Sequence, residues 1–335
     1  MDTDRRRELR VSDNDGMLTI KLADLESAAK LVYAAMPPTP QTQYPLLSAR
    51  ASCEVWVKHE NHTPLGAFKV RGGLVYMDWL KREHPDVGGV VTATRGNHGQ
   101  SVAFAARKNG LSATIFVPLG NSREKNAAMV ALGGELMEHG HDFQAASEAS
   151  MAYAQARGLH HMPSYSPFLV AGVATYSMEL LRAHPDLMAI YVPIGLGSGI
   201  SGAIAARDAL HLKTEIIGVV SENAPAYALS FRSGLPTATE SANTMADGVA
   251  CRVPNPGAVE YICKGAADVI TVSEAEIKTA MRAYYTDTHN LAEGAGAVPL
   301  AGLLKQRDLR QGQKVAVVLS GSNIDLDQYR AVLSE

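Results

Sequence analysis

The chain has 335 residues, 46% of them hydrophobic and 19% charged, with a net charge of −3. That length leaves room for two domains, and the composition is that of a folded globular protein, not a disordered one. The small net charge gives no electrostatic case for nucleic acid or an anionic membrane, and no apolar run reaches membrane-spanning length. Three cysteines, Cys53, Cys251 and Cys263, without CxxC spacing fit a reducing compartment and argue against a disulfide framework or zinc site. A cytoplasmic location with no nucleic-acid or membrane partner is expected.

In chain order, residues 1–16 mix Arg5, Arg6, Arg7 and Arg10 with Asp2, Asp4 and Glu8, which reads as a solvated tail, with acids where a signal peptide would have its apolar core. An extended run over 54–60 gives way, after Pro64 and Gly66, to a helix predicted over 68–82. Lys69 then falls in the first turn, where carboxylates are favoured over cations. It escapes that penalty if its amine is tied up covalently as an imine. An ordinary solvated lysine is the other reading, and this segment alone leaves both open.

Short Val/Ile/Ala-rich strands are predicted at 90–93, 113–117, 189–192, 215–220 and 315–319, and helices at 101–108, 123–132, 143–156, 199–209 and 273–288. The alternation predicts an α/β fold with two open, mostly parallel twisted sheets covered by helices on both faces. The stretch 88–162 reads as a small mobile domain inserted into a larger one made of 17–87 and 163–335, with a return linker near Met162-Pro163-Ser164-Tyr165-Ser166-Pro167. In such folds ligands sit beyond the carboxyl ends of the strands. Three unusual loops fall there.

The first loop, Thr94-Arg95-Gly96-Asn97-His98-Gly99, precedes a helix whose N–H groups can hold an anion such as a carboxylate. The second, Gly195-Leu196-Gly197-Ser198-Gly199, lets backbone approach a phosphate, but Ile200 stands where the dinucleotide fingerprint needs its last glycine. The third is Leu319-Ser320-Gly321-Ser322-Asn323. Each taken alone is also an ordinary strand-to-helix turn.

Together with the Lys69 segment these loops resemble the pyridoxal-phosphate enzymes of the tryptophan-synthase-β type, fold type II, and more narrowly the serine/threonine dehydratase and serine racemase family. The likeness covers residues 22–333. It implies pyridoxal 5′-phosphate as cofactor, Lys69 as its Schiff-base lysine and catalytic base, and Phe68 packed beside the ring. It further implies Asn97 at the 3′-oxygen, Gly195, Leu196, Gly197 and Ser198 around the phosphate, Ser320 at the pyridine nitrogen and Glu293 near the ring. Thr94, Arg95, Gly96, Asn97 and His98 would receive the substrate, with His98 contributing its backbone. Asp247 and Gly248, in an Ala-Asp-Gly segment, would border the site. The implied reaction is loss of water from a β-hydroxy L-amino acid such as threonine or serine, giving a 2-oxo acid and ammonia. Alternatives are 3-hydroxyaspartate, phenylserine or an ectoine-pathway intermediate as substrate, or racemisation. A homodimer or dimer of dimers is implied.

Several residues depart from the family pattern. Arg95 stands where racemase-like members have a basic serine and dehydratases an alanine, and an arginine does not act as a base near neutral pH. Two roles are open to it: a structural salt bridge, which is the preferred expectation, or contact with an anionic or polar substrate side chain. Ala67 replaces a common serine. The divalent-metal site of the racemase-like branch would fall at Glu222, Ala226 and Ala228, where Glu222 alone has a carboxylate, so no metal is expected. The chain ends soon after Ser320, leaving no length for the regulatory domain of the biosynthetic threonine dehydratases.

Overall fold

The predicted alternation of strands and helices is realised as two separate sheets. The computed structural model describes residues 19–335, and the expected tail over 1–16 lies outside them. The strands are β1 (Gln41–Gln43), β2 (Glu54–His59), β3 (Gly89–Ala93), β4 (Ser112–Val117), β5 (Glu135–Glu138), β6 (His160–His161), β7 (Ala189–Pro193), β8 (Glu215–Ser221), β9 (Asp268–Val272) and β10 (Lys314–Leu319). The helices are α1 (Leu22–Tyr33), α2 (Pro45–Ala51), α3 (Lys69–Glu83), α4 (Asn97–Lys108), α5 (Arg123–Ala131), α6 (Phe143–Arg157) and α7 (Pro167–Ala183). They continue with α8 (Ser198–Ala209), α9 (Ala226–Ser233), α10 (Pro256–Gly265), α11 (Glu274–Thr288), α12 (Gly294–Lys305) and α13 (Leu326–Ser334).

The larger sheet has the order β1-β2-β10-β7-β8-β9 and is parallel except for the β1–β2 pair. The smaller has the order β5-β4-β3-β6 and is parallel throughout. Successive side chains of a strand face opposite sides of its sheet, and β10 shows why both sides are covered. Val315, Val317 and Leu319 pack with Met281, Tyr284 and Leu300 of α11 and α12. Ala316 and Val318 belong instead to the core that holds Leu25, Val70, Val173 and Ile204 of α1, α3, α7 and α8. A strand buried on both faces reads as a continuous apolar run, which is how it stands in the sequence.

Two glycines let α3 and α7 cross closely. A Cβ on Gly72 would stand 2.9 Å from the Leu169 carbonyl oxygen, and one on Gly172 would stand 2.4 Å from that of Arg71. The segment expected as a linker leads directly into α7. Ser166 caps that helix by accepting the Leu169 N–H, and Pro167 occupies the first turn, where its missing N–H costs nothing.

β2, β10 and β7 are neighbours in the larger sheet. Their carboxyl ends carry Lys69, Ser320 and the Gly195 loop to one spot, and β3 of the smaller sheet brings the 94–98 turn opposite.

Candidate active site

The turn before Lys69 is fixed by backbone pairing to the end of β10. Gly66 has φ +66°, and a Cβ there would lie 2.7 Å from Asn323 Oδ1, so glycine is needed for conformation and for space. Phe68 N–H donates to the Ser320 carbonyl at 3.0 Å, and Ser322 N–H donates to that of Gly66 at 2.9 Å. Lys69 is therefore the first residue of α3, beside Ser320. Its carbonyl accepts the Ser101 hydroxyl at 2.7 Å, and its Nζ donates to Ser198 Oγ at 3.2 Å. With no neighbouring carboxylate among the described residues to favour the charge, burial brings the amine down to about 8.

Two residues on, Arg71 anchors α3 in the core. Its fork donates to Glu60 Oε2 at 2.7 Å, to Glu179 Oε1 at 2.6 Å and to Thr175 Oγ1 at 3.0 Å. Lys58 pairs with the same Glu179, and Thr39 donates to Glu60 Oε1 at 2.6 Å. Arg71, Glu60 and Lys58 are fully buried, so each charge relies on this network for compensation.

Facing the Lys69 amine is the Gly195 loop. A Cβ on Gly195 would meet the Gly248 carbonyl oxygen at 2.3 Å, and Gly197, at φ +99°, caps α8. The first-turn N–H groups of α8 have no partner within the helix and point to the place where an anion can sit. Ser198 adds a buried hydroxyl.

On the opposite wall, Thr94 Oγ1 accepts the N–H groups of Gly96 at 2.9 Å and Gly99 at 3.2 Å, bracing the turn that starts α4. The N–H groups of Asn97 and His98 remain at the helix tip. Asn97 donates through Nδ2 to Glu293 Oε1 at 2.6 Å and accepts from Asn323 Nδ2 at 2.8 Å. Burial pushes His98 down to about 3, so its ring is neutral at ordinary pH, with Nε2 unpartnered.

Lys125 is the functional-site residue that the sequence reading missed. It comes from α5 over Gly96, where a Cβ would lie 2.3 Å from Lys125 Cδ. Its Nζ reaches Asp247 Oδ2 at 2.6 Å and lies 3.2 Å from Glu293 Oε2. Burial opposes the charge of Lys125, but the two carboxylates outweigh it and hold the amine above its ordinary value. Glu293 is shifted upward by burial, with Asp247 adding to the rise and Lys125 opposing it. Two acids share one cation here, and burial favours the neutral form of Glu293.

Lys69, Lys125, Asp247, Glu293, the Gly195 loop and the 94–98 turn line one cavity of about 520 Å³, together with Phe68, Arg95 and Ser320, and the Arg71 network is not part of its lining. Its size suits a cofactor with a small substrate. The salt bridge expected for Arg95 is not found: among the described residues the guanidinium has no ion pair or hydrogen bond, and its Nε is buried without a partner. Glu222 is exposed, away from the cavity lining, with its N–H donated to the Val272 carbonyl. Among the described residues no group of three or more His, Cys, Asp or Glu is placed to hold a metal ion. No helix of the described residues is long and apolar enough to cross a membrane.

A nucleophilic amine close to neutrality, beside a glycine cradle of free N–H groups, fits a cofactor with a carbonyl and a phosphate. A profile described as "Pyridoxal-phosphate dependent enzyme" matches residues 32–321. The chain is 32% identical over 317 residues to an L-threonine ammonia-lyase of Thermotoga maritima, covering 94% of this chain and 79% of that protein. Its fold is similar to processed threonine deaminase isoform 2 of Solanum lycopersicum, with a TM-score of 0.86, 26% identity and 94% of each chain covered. Maize serine racemase is similar at TM-score 0.87 and 26% identity, over 94% of this chain and 97% of the other.

Proposed function

We infer the reaction from the premise that this chain belongs to the pyridoxal-phosphate dependent enzymes, as the match over residues 32–321 establishes. It is an ammonia-lyase that removes water from a β-hydroxy L-amino acid and yields a 2-oxo acid and ammonia. The observation that carries this reading is the Lys69 amine, brought down to about 8 and set against Ser198 at the mouth of the glycine cradle. Relatives named L-threonine ammonia-lyase support the reaction class.

Residues 195–198 and the α8 N-terminus would hold the cofactor phosphate, Phe68 would pack on the ring, and Asn97 and Ser320 would meet its polar edges. Pyridoxal phosphate, when bound, supplies a sink for the electron pair left as a bond at the substrate Cα breaks. The remaining steps belong to side chains of this chain. The N–H groups of Asn97 and His98 at the α4 tip take the substrate carboxylate and fix which Cα bond faces the lysine. Lys69, neutral at mildly alkaline pH, takes the Cα proton and as an ammonium can hand a proton to the departing β-hydroxyl. Ser320 offers a hydroxyl in place of a carboxylate at the end of β10, which does not enforce protonation of a basic ring nitrogen. Neutral His98 adds no competing charge.

Product analysis tests this reading. The holoenzyme should convert a β-hydroxy amino acid to ammonia and a 2-oxo acid. Lys69→Ala should lose both turnover and the visible absorbance of the lysine-bound cofactor.

A further inference from the structure

Three features of the cavity are built to receive negative charge, and the reaction described above uses two. The α8 N-terminus with the Gly195 loop suits the cofactor phosphate. The α4 tip suits the carboxylate that every amino acid carries. The third is the Arg95 guanidinium. It lines the cavity, its Nε is buried without a hydrogen-bond partner, and no carboxylate of the described residues pairs with it.

The other cations of the wall are differently placed. Lys125 holds Asp247 at 2.6 Å and Glu293 at 3.2 Å, and Arg252 lies 3.9 Å from Asp142. Burial brings Lys69 down to about 8, and its amine is reserved for the cofactor. Arginine cannot shed its charge, because it does not deprotonate in proteins. A partly buried fork of donors with nothing to bind is unfavourable unless an oxyanion arrives with the substrate. Since phosphate and α-carboxylate are already provided for, that oxyanion is on the substrate side chain.

We propose, resting on the ammonia-lyase reading, that Arg95 is a specificity-determining residue and that the preferred substrates are β-hydroxy amino acids with a side-chain carboxylate. The smallest is 3-hydroxyaspartate. In its reaction the Cα–H and Cβ–O bonds break, a Cα=Cβ bond forms and water leaves. The resulting enamine tautomerises to an imine, and water replaces its nitrogen, releasing ammonia and a 2-oxo dicarboxylate. Atoms balance without an oxidant or reductant.

The test uses the holoenzyme, Arg95→Ala and Arg95→Lys, with two readouts. The first is kcat/KM for serine, threonine and 3-hydroxyaspartate. Wild type should favour 3-hydroxyaspartate over threonine, and Arg95→Ala should lower that value about tenfold to a hundredfold while serine changes little. Arg95→Lys should restore part of the loss, since it keeps the charge without the fork. Equal losses on all three substrates would overturn the proposal and place the guanidinium on the shared carboxylate. The second readout is the affinity for L-aspartate against L-alanine, neither of which has a β-hydroxyl to lose, followed by the change in cofactor absorbance. Tighter binding of aspartate by wild type, abolished in Arg95→Ala, supports the proposal even if no substrate is turned over, in which case the lyase reading alone fails. Equal binding of the two by wild type would overturn the proposal whatever the turnover shows.

Discussion

At the scale of single residues, the proposed chemistry depends on where one amine stands. Lys69 was legible in the sequence because Pro64 and Gly66 break the chain just before an amphipathic helix, and because a cation in a first turn calls for an explanation. Lys125 was not legible. Its helix starts after a serine cap like many solvated helices, and its partner Asp247 lies 122 residues away along the chain. Arg95 was legible as a departure, yet only the folded cavity shows that it has no acidic partner among the described residues. The Lys69 shift also has a thermodynamic consequence. Burial lowers its pKa from 10.5 to about 8, so between these values the unfolded chain holds a proton that the folded, cofactor-free protein does not. Stability must then rise with pH across that window, with the full penalty of burying the charge present below pH 8. Urea midpoints of the cofactor-free protein should therefore increase from about pH 8 to 10 relative to Lys69→Met, which lacks the group. Parallel pH profiles for the two proteins would contradict the shift.

At the scale of elements, α3 is held by charge as well as by apolar packing. Arg71 lies one half-turn beyond Lys69 and engages Glu60, Glu179, Thr175 and Thr39 with its donors. This network is not legible along the chain, since its members come from β2, the short turn after it, α3, α7 and the arm before β1. Arg71→Met would leave Glu60 and Glu179 short of their main cation in the core. Removing one partner of a buried ion pair costs about 3–5 kcal/mol, and a loss of that size is expected in urea unfolding of the holoenzyme. A loss below about 1 kcal/mol would show that water or Lys58 compensates. The strands were easier to foresee than some helices. β10 is apolar on both faces and reads as a strand directly, whereas Pro167 looked like a linker residue because proline breaks most helices. In the first turn it breaks nothing.

At the scale of the whole molecule, the cavity is walled by both sheets, and polar contacts cross between them. Lys125 reaches Asp247, Ser122 Oγ donates to Asp325 Oδ1 at 2.5 Å, and Leu326 N–H donates to Glu124 Oε1 at 2.9 Å. We propose that residues 88–162 act as a small domain that closes on the larger one once the α4 tip has gripped the substrate carboxylate. Tyr76, Met77 and Leu80 of α3 share a buried apolar core with Val90, Val102 and Ala105 of the 88–162 stretch, so that side would stay packed as the hinge while the polar contacts at α5 exchange with water. Small-angle scattering of the holoenzyme should show a lower radius of gyration with saturating L-alanine than without it, and identical curves would count against closure. The fold class itself followed from strand–helix alternation, but the convergence of β2, β10 and β7 at one site depends on strand order, which periodicity does not encode. The central claim, that this geometry eliminates water from a β-hydroxy amino acid, is tested most directly by product stoichiometry. Holoenzyme given serine, threonine or 3-hydroxyaspartate should release ammonia and a 2-oxo acid in equal amounts from at least one of them, and Lys69→Ala should release neither. Conversion to the mirror-image amino acid without ammonia, or undiminished ammonia release by Lys69→Ala, would contradict the account.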